Sequence, residues 1–288
     1  MIPPSFDYHA PRSLGEALSL LSSLGSDAKL LAGGHSLLPM MKLRFAQPAH
    51  LIDLNGIADL KGIREEGGSV VVGAMTTEAE LLASPIVRNK VPLLAEGAAS
   101  IADPQVRNKG TVGGDISHGD PGNDHPALMM ALDAAFVLTG SKGQRTVKAD
   151  GYFLGLFSTQ LAADEILTQI RIPIPPSGTG WSYQKLKRKT GDFATAASAV
   201  LLQMKGTAVA KVAIALTNAG ASALRATAAE AALIGKPISE ATLGEAARLA
   251  MSICEPTPDQ RGDVAYKTAM CGEMTRRALQ AAAARARG

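Results

Sequence analysis

Cysteine is almost absent from this chain of 288 residues. Its two cysteines, Cys254 and Cys271, have sixteen residues between them and form no C-x-x-C pair. The chain therefore lacks the ligand set of an iron–sulfur cluster or of a structural zinc site. Two thiols in a chain of this length are typical of a protein from a reducing compartment, so we predict a cytoplasmic location.

Aromatic residues are also scarce, at 4% of the sequence, and the formal net charge is only +3. Few stacking side chains argue against a single-stranded nucleic-acid partner. The basic cluster Lys185 to Lys189 is too short to indicate nucleic acid by itself. No apolar run approaches membrane-spanning length, and the first residues do not have the pattern of a signal peptide.

Apolar periodicity predicts helices and strands in a mixed order. We predict an α+β fold with a first domain over residues 1–176, in lobes of about 1–57 and 58–176. Prolines from Pro173 onward interrupt the pattern, and residues 177–288 then form an antiparallel sheet covered by helices. The predicted helices are 13–24, 78–83, 91–101, 126–132, 221–233, 240–254 and 265–287. The predicted strands are 29–32, 50–54, 69–74, 135–138, 166–172, 180–189, 194–204 and 209–217.

Two glycine-rich segments are candidates for a ligand site. The first is Ala32-Gly33-Gly34-His35-Ser36, at the end of a predicted strand. Glycine adopts positive φ and lets a ligand approach the backbone, and Ser36 can cap a short helix. Backbone N–H groups of the loop and helix would then converge on an anion such as a pyrophosphate. The second segment, 110–124, contains Thr111-Val112-Gly113-Gly114-Asp115, and Asn123 or Asp124 can cap the helix after it.

Plainer interpretations of these residues stay open. A single Gly-Gly pair is more often a tight turn than a phosphate cradle, and two pairs with caps bring the odds to roughly even. Neither segment matches a Walker A loop or a G-x-G-x-x-G pattern. A metal site is a further alternative, although a Pro/Gly loop would give its ligands little rigid support. Its candidate ligands are His118, Asp120, Asp124 and His125.

Two features of the last third also have structural interpretations. Phe193 can be an ordinary core aromatic, and the segment from Lys185 to Lys189 can be a solvated strand face with Leu186 inward. No nucleophile, base and orienting group stand at a recognisable spacing. The residues therefore give no sign of hydrolytic or acyl-transfer chemistry.

Taken together, the loops 32–36 and 111–115 resemble the paired FAD-binding motifs of the molybdenum hydroxylase flavoproteins, the family of xanthine dehydrogenase. The resemblance covers essentially the whole chain, including residues 6–9 (FDYH), 101–105 (IADPQ) and 185–192 (KLKRKTGD). The first and last of these look particularly like the carbon monoxide dehydrogenase branch. The resemblance implies a two-lobed FAD-binding domain of the PCMH (vanillyl-alcohol oxidase-like) type, with FAD held between it and the C-terminal domain.

The same resemblance implies which residues contact FAD. It implies no catalytic or metal-binding residue on this chain. The two loops would surround the pyrophosphate and ribityl chain, and Asp124 would bind ribityl or flavin-side hydroxyls. Ile101 and Leu167 would pack on the cofactor. Lys185 would lie near the polar edge of the flavin, where a cation stabilises the reduced anion. Phe193 would cover the isoalloxazine. The loop residues are Ala32, Gly33, Gly34, His35 and Ser36 in the first, and Thr111, Val112, Gly113, Gly114 and Asp115 in the second.

The implied function is electron transfer. A large partner subunit with the molybdenum cofactor would oxidise carbon monoxide with water, and a small subunit would pass the electrons through [2Fe-2S] clusters. The FAD of this chain would release them to an external acceptor such as a quinone, in a dimer of heterotrimers. A flavin subunit of an N-heterocycle or aldehyde hydroxylase, a free-standing FAD oxidoreductase, and an assembly subunit with a vestigial site are the alternatives. The intact glycines of both loops count against the last.

Overall fold

The chain begins with a small parallel sheet covered by one helix. A computed structural model describes residues 2–286. Its first elements are β1 (Asp7–His9), α1 (Leu14–Leu24), β2 (Ala28–Leu31), α2 (Leu37–Lys42) and β3 (His50–Asp53). Strand β3 lies between β1 and β2 and is parallel to both. Helix α1 buries Ala17 and Leu21 in the core of this lobe, because its apolar residues recur on one side. The first Gly-Gly loop follows β2 directly and leads into α2.

The second lobe is an antiparallel sheet with helices packed on it. Its elements are β4 (Ile63–Glu66), β5 (Ser69–Gly73), α3 (Glu78–Ala83), α4 (Pro85–Lys90), α5 (Pro92–Ser100), α6 (Pro104–Arg107), α7 (Val112–His118), α8 (Asp124–Ala131), β6 (Ala135–Gly140), β7 (Gly143–Lys148), β8 (Phe153–Gly155), β9 (Ser158–Thr159) and β10 (Glu165–Pro173). Five strands pair in the order β4–β5–β10–β6–β7, and β8 and β9 form a separate hairpin. Strand residues such as Phe136 and Ile170 share one core with helix residues such as Leu94 and Leu128. This core fixes α7 and α8, which carry the second loop.

The last part is a second antiparallel sheet. Its elements are β11 (Gly180–Leu186), β12 (Ala196–Lys205), β13 (Ala208–Thr217), β14 (Leu224–Arg225), α9 (Thr227–Leu233), α10 (Glu240–Met251) and α11 (Val264–Ala286). Helix α11 packs on β11 and β12 so closely that a Cβ at Gly180 would lie 1.9 Å from the carbonyl oxygen of Ala282. Helices α5 and α8 also contact this sheet, and Tyr183 of β11 belongs to their core. The sheet therefore meets the second lobe beside the second loop.

The α+β fold class is confirmed, and most predicted elements are present within a few residues of their expected bounds. Six strands were not predicted: β1, β4, β7 and the short strands β8, β9 and β14. Strands β4 and β7 are largely exposed and polar, so they lack the alternating apolar pattern that marks a half-buried strand. Residues 221–233 are not one helix, because β14 pairs with β13 and the helix begins only at Thr227. The segment 110–124 is not all loop, since it contains α7. Residue 287 of the last predicted helix lies outside the described residues. Among residues 2–286, no helix combines the length and the apolar character needed to cross a membrane.

Candidate functional site

A cleft with a volume of about 920 Å³ lies between the two Gly-Gly loops and the start of the C-terminal sheet. Apolar side chains of the first lobe, such as Leu30 and Met40, line part of it, and Lys185 and Phe193 line another part. Every site residue predicted above lines this cleft except Val112, whose side chain is fully buried in the second-lobe core. A volume of this size is in the range of small-molecule and cofactor sites.

The glycines bring the two loops into contact rather than all facing a ligand. A Cβ at Gly33 would lie 2.2 Å from the carbonyl oxygen of Lys109, which immediately precedes the second loop. A Cβ at Gly113 would lie 2.5 Å from the Cβ of Ala74. Of the four paired glycines only Gly34, with φ of 76°, has a backbone conformation that favours glycine. The expectation of positive φ at Gly33 is therefore wrong, and its glycine is required by packing.

The two loops differ in the backbone N–H groups they offer. Within residues 2–286, the N–H groups of Gly34, His35 and Ser36 donate no hydrogen bond, and the Ser36 side chain does not cap α2. Four of the five N–H groups of residues 111–115 are already satisfied: Val112 donates to the Thr76 carbonyl (3.0 Å), Gly113 to the Ala74 carbonyl (2.9 Å), Gly114 to Thr111 Oγ1 (3.2 Å) and Asp115 to the Thr111 carbonyl (3.0 Å). Among residues 2–286, the amide donors that the fold leaves available therefore lie mainly in the first loop.

Asp115 on α7 lies in the cleft wall with its Oδ1 buried and without a hydrogen-bond partner. Burial raises the pKa of Asp115 to about 8, although the field of His125 acts in the opposite direction. The acid is therefore largely protonated at neutral pH. A neutral carboxyl can donate to a ligand oxygen and does not repel a phosphate.

Behind Asp115, Glu78 and His125 form a buried ion pair. The distance from His125 Nε2 to Glu78 Oε1 is 2.8 Å, and neither side chain is more than 3% exposed. Burial lowers the pKa of His125, but the field and hydrogen bond of Glu78 outweigh this effect and raise the pKa to about 9. Glu78 also lines the cleft, which no pattern in the sequence indicated.

Asp124 and Lys185 form a second buried pair where α8 meets β11. Lys185 Nζ donates to Asp124 Oδ2 at 2.7 Å and to the Ser100 carbonyl at 3.3 Å, and the two charged side chains are 4% and 6% exposed. The Tyr183 hydroxyl donates to the other oxygen of Asp124, and burial followed by the Asp124 field raises the pKa of that tyrosine. The solvated-face interpretation is therefore wrong for Lys185.

Phe193 is 48% exposed and lines the cleft, so its interpretation as an ordinary core aromatic is also wrong. The guanidinium of Arg261 lies 5.7 Å from its ring centroid. Arg261 belongs to the loop before α11, far away in sequence, and no motif pointed to it. Among residues 2–286 no group of three or more side chains could hold a metal ion; His125 and Asp124 contact Glu78 and Lys185 instead.

Two families match the chain. The family described as the FAD-binding domain in molybdopterin dehydrogenase matches residues 4–175. The chain belongs to this flavoprotein family. The family described as the CO dehydrogenase flavoprotein C-terminal domain matches residues 181–282.

Close relatives extend over the full length. The carbon monoxide dehydrogenase medium chain of Hydrogenophaga pseudoflava is 61% identical over 99% of both chains. That of Afipia carboxidovorans is 51% identical over 100% of both chains. A solved structure of the Hydrogenophaga pseudoflava carbon monoxide dehydrogenase, which lacks the Mo-pyranopterin moiety of the molybdenum cofactor, contains a chain that is 63% identical. The two chains align over 99% of each with a TM-score of 0.98.

The cleft fits FAD, the cofactor of this family. Its first loop presents unpaired amide donors, and Asp115 offers a neutral carboxyl whose buried Oδ1 has no partner. The volume of about 920 Å³ lies near the upper end of the range for small-molecule and cofactor sites. The thiols Cys254 and Cys271 do not line the cleft, and the molybdenum and iron–sulfur centres of such enzymes belong to other subunits.

Proposed function

We propose that FAD occupies this cleft and that the chain is the electron-transfer flavin subunit of an aerobic carbon monoxide dehydrogenase. The main observation in support is that one cleft is lined both by the first loop, with its available amides, and by the buried pair of Asp124 and Lys185. When bound, FAD accepts electrons singly from the iron–sulfur clusters of a partner and delivers them to an external acceptor. Identity of 61% over nearly the whole chain supports carbon monoxide as the substrate of the complex.

The chain's own residues bind and orient the cofactor in this proposal. The amides of Gly34, His35 and Ser36 would hold the pyrophosphate, and the neutral carboxyl of Asp115 would donate a hydrogen bond to a nearby cofactor oxygen. Ala32, Gly33, Thr111, Gly113 and Gly114 shape the cradle, and Val112 keeps α7 in place from beneath. Asp124 accepts from ribityl or flavin-side hydroxyls, while Ile101 and Leu167 pack on the cofactor and Phe193 covers the isoalloxazine.

Lys185 contributes charge at the flavin end of the cleft. Its ammonium group is compensated by Asp124, so the pair adds a local dipole rather than a full positive charge. Because Asp124 points its carboxylate at Lys185 and Tyr183, the ammonium group stays fixed in the cleft wall. In this position it favours negative charge on a bound flavin.

The relatives are named as medium chains of carbon monoxide dehydrogenase, so this chain is one subunit of a larger enzyme. We assign it a large molybdenum-binding and a small iron–sulfur partner, in a dimer of heterotrimers with a quinone as acceptor. We place the complex in the cytoplasm, at the inner face of the membrane. We also divide the chain near residue 176, and the limits of the two matching families, at residues 175 and 181, support this division.

Purification of the native complex tests the proposal. Flavin and iron–sulfur absorption together, with copper beside molybdenum and oxidation of carbon monoxide, is the expected result. Flavin absorption without iron–sulfur absorption would indicate a free-standing flavoprotein, and neither signal would indicate an assembly subunit. If the complex contains molybdenum without copper and oxidises an N-heterocycle or an aldehyde, that compound and not carbon monoxide is its substrate.

A further inference from the structure

We propose that Arg261 is a positioning residue that holds the ring of Phe193 across the mouth of the cleft and so limits the access of small oxidants to the flavin. Phe193 ends a segment that we call the strap, residues 187–193, which leaves β11 and borders the cleft. The inference rests on the proposed function, because it assumes FAD in the cleft. The inference gives a role to Arg261, a residue that is distant in sequence from the strap and does not itself line the cleft.

Asp192, next to Phe193, joins the strap to that loop. Arg261 donates to Asp192 Oδ1 from Nη2 at 2.6 Å and from Nε at 3.2 Å. Arg188 Nε donates to Oδ2 at 3.0 Å, and the amide of Phe193 donates to Oδ1 at 3.0 Å. The carboxylate therefore binds both guanidinium groups and also the backbone of the residue that carries the ring.

The ring of Phe193 has few other supports. Half of the side chain is exposed, and Arg261 lies over it with a distance of 5.7 Å from Cζ to the ring centroid. Gly122 is close to the ring, since a Cβ there would lie 3.4 Å from Cδ1 of Phe193. Phe193 belongs to none of the three apolar clusters formed by residues 2–286, so little apolar packing fixes its rotamer. The guanidinium of Arg261 is the one charged group stacked on the ring in the same residues.

Arg261 is itself anchored to the C-terminal core. Its Nη1 donates to Asp259 Oδ2 at 3.2 Å, and Lys267 Nζ lies 3.0 Å from the same oxygen. Lys267 is only 1% exposed and also donates to the Thr257 carbonyl at 2.8 Å. Lys267 of α11 thus holds Asp259, Asp259 holds Arg261, and Arg261 in turn binds Asp192 of the strap.

Removal of Arg261 should free the ring and leave the cofactor contacts in place. The loops, Asp124 and Lys185 make no hydrogen bond to Arg261. The stacked cation and the partly exposed ion pair are worth roughly a two- to fivefold change in the population of the covering rotamer. We therefore expect a similar factor in the access of small molecules to the flavin.

The test compares holo complexes carrying Arg261→Gln, Arg261→Lys and Phe193→Ala. The measurements are FAD content, melting temperature, the rate at which sulfite bleaches the flavin absorbance, and the rate of reoxidation by oxygen after reduction with dithionite. Arg248→Gln is the matched control, because Arg248 also pairs with a carboxylate in the same part of the chain but lies exposed on α10, away from the cleft.

We expect Arg261→Gln to keep its FAD and its melting temperature, and to raise both rates by about two- to fivefold. Arg261→Lys should give intermediate rates, since it keeps one charge but loses the planar fork. The double variant with Phe193→Ala should react no faster than Phe193→Ala alone. Wild-type rates in Arg261→Gln and fast rates in Phe193→Ala would overturn the inference. If Phe193→Ala reacts at the wild-type rate, the covering role of Phe193 is wrong as well, whereas absence of FAD from the wild-type complex would refute the proposed function itself.

Discussion

Replacement of Gly33 by alanine should separate the two loops and release FAD. The new Cβ would lie 2.2 Å from the Lys109 carbonyl oxygen and 2.8 Å from the Cα of Gly110, whereas ordinary contacts begin near 3.4 Å. Both obstacles are backbone atoms, so no side chain can rotate out of the way. The loops must part by about 1 Å, and overpacking of this kind costs roughly 1–3 kcal/mol.

An opposing effect reduces the net loss. Alanine restricts the unfolded chain and gains about 0.4–1 kcal/mol where the native backbone is compatible with it, and Gly33 does not have positive φ. We therefore expect a net loss of about 1–2 kcal/mol in the free energy of unfolding. For a chain of this size that corresponds to a melting temperature lower by roughly 2–8 °C.

Two other glycines provide controls for Gly33→Ala. Gly15 on α1 has nothing within 4 Å of an added Cβ, so Gly15→Ala should be neutral or stabilising by up to about 1 kcal/mol. A Cβ at Gly114 would lie 2.8 Å from Thr111 Oγ1, so Gly114→Ala should cost about 1 kcal/mol through the helix cap. Thermal unfolding and FAD content of the purified variants measure the series. Full FAD content and a wild-type melting temperature in Gly33→Ala would refute the contact between the loops as the reason for this glycine.

Three further predictions concern the charged groups of the cleft. Lys185→Met should lower the flavin reduction potential, because it leaves the Asp124 carboxylate uncompensated, and Asp124→Asn should raise it. We expect the potential to shift by about 20–40 mV in each variant, in opposite directions. A redox titration in which both variants shift the potential in the same direction would contradict the pairing of Lys185 with Asp124. The wild type should release FAD more readily as pH rises through about 8, because Asp115 ionises there. Asp115→Asn should retain FAD at neutral pH and above. Equal FAD dissociation constants for the two proteins at pH values below and above 8 would disprove this role of Asp115. The pKa of His125 is raised to about 9, so its pairing with Glu78 stabilises the fold fully below about pH 6.5, and this contribution is lost as pH rises through 9. Glu78→Gln should abolish that loss of stability at alkaline pH, which is roughly 3 kcal/mol. An unchanged slope of the unfolding free energy against pH would exclude the pair as the source of the loss.

Much of the fold could be predicted from the sequence because its core elements carry strong apolar patterns. Strand β5 reads Ser69-Val70-Val71-Val72-Gly73, and its valines are fully buried. The strands that were missed have the opposite character. Strand β7, Gly143–Lys148, is almost wholly exposed and is held by its pairing with β6, a long-range interaction that no local pattern encodes. The same holds for β14, whose two residues are strand only because β13 lies beside them.

The motifs in the sequence predicted that the two glycine-rich loops lie together, but not what each residue of the loops does. Both loops do line one cleft, but the sequence could not show that Gly33 is required by a contact with Lys109 of the other loop. Likewise, an N–H group is available to a ligand only if the fold does not use it. The amide of Gly113 bonds the Ala74 carbonyl, a partner that is distant in sequence. Arg261 was missed for the same reason.

The acids of the cleft show why composition alone is a poor guide to anion binding. Five acids line a cleft that is proposed to bind a cofactor with two phosphates, and five carboxylates would repel it: Glu78, Asp115, Asp124, Glu165 and Asp192. The structure removes that repulsion in two ways. Glu78 and Asp124 are paired with His125 and Lys185 at 2.8 and 2.7 Å, and Glu165 and Asp192 are paired with Arg145 and Arg261, both at 2.6 Å. Asp115, in contrast, has no cation bonded to it among residues 2–286 and is kept neutral by burial. Because a buried neutral acid gains charge as pH rises, Asp115 is the group whose ionisation would oppose FAD directly. The affinity of this cleft for FAD should therefore depend on burial of that one carboxyl more than on the net charge of the chain.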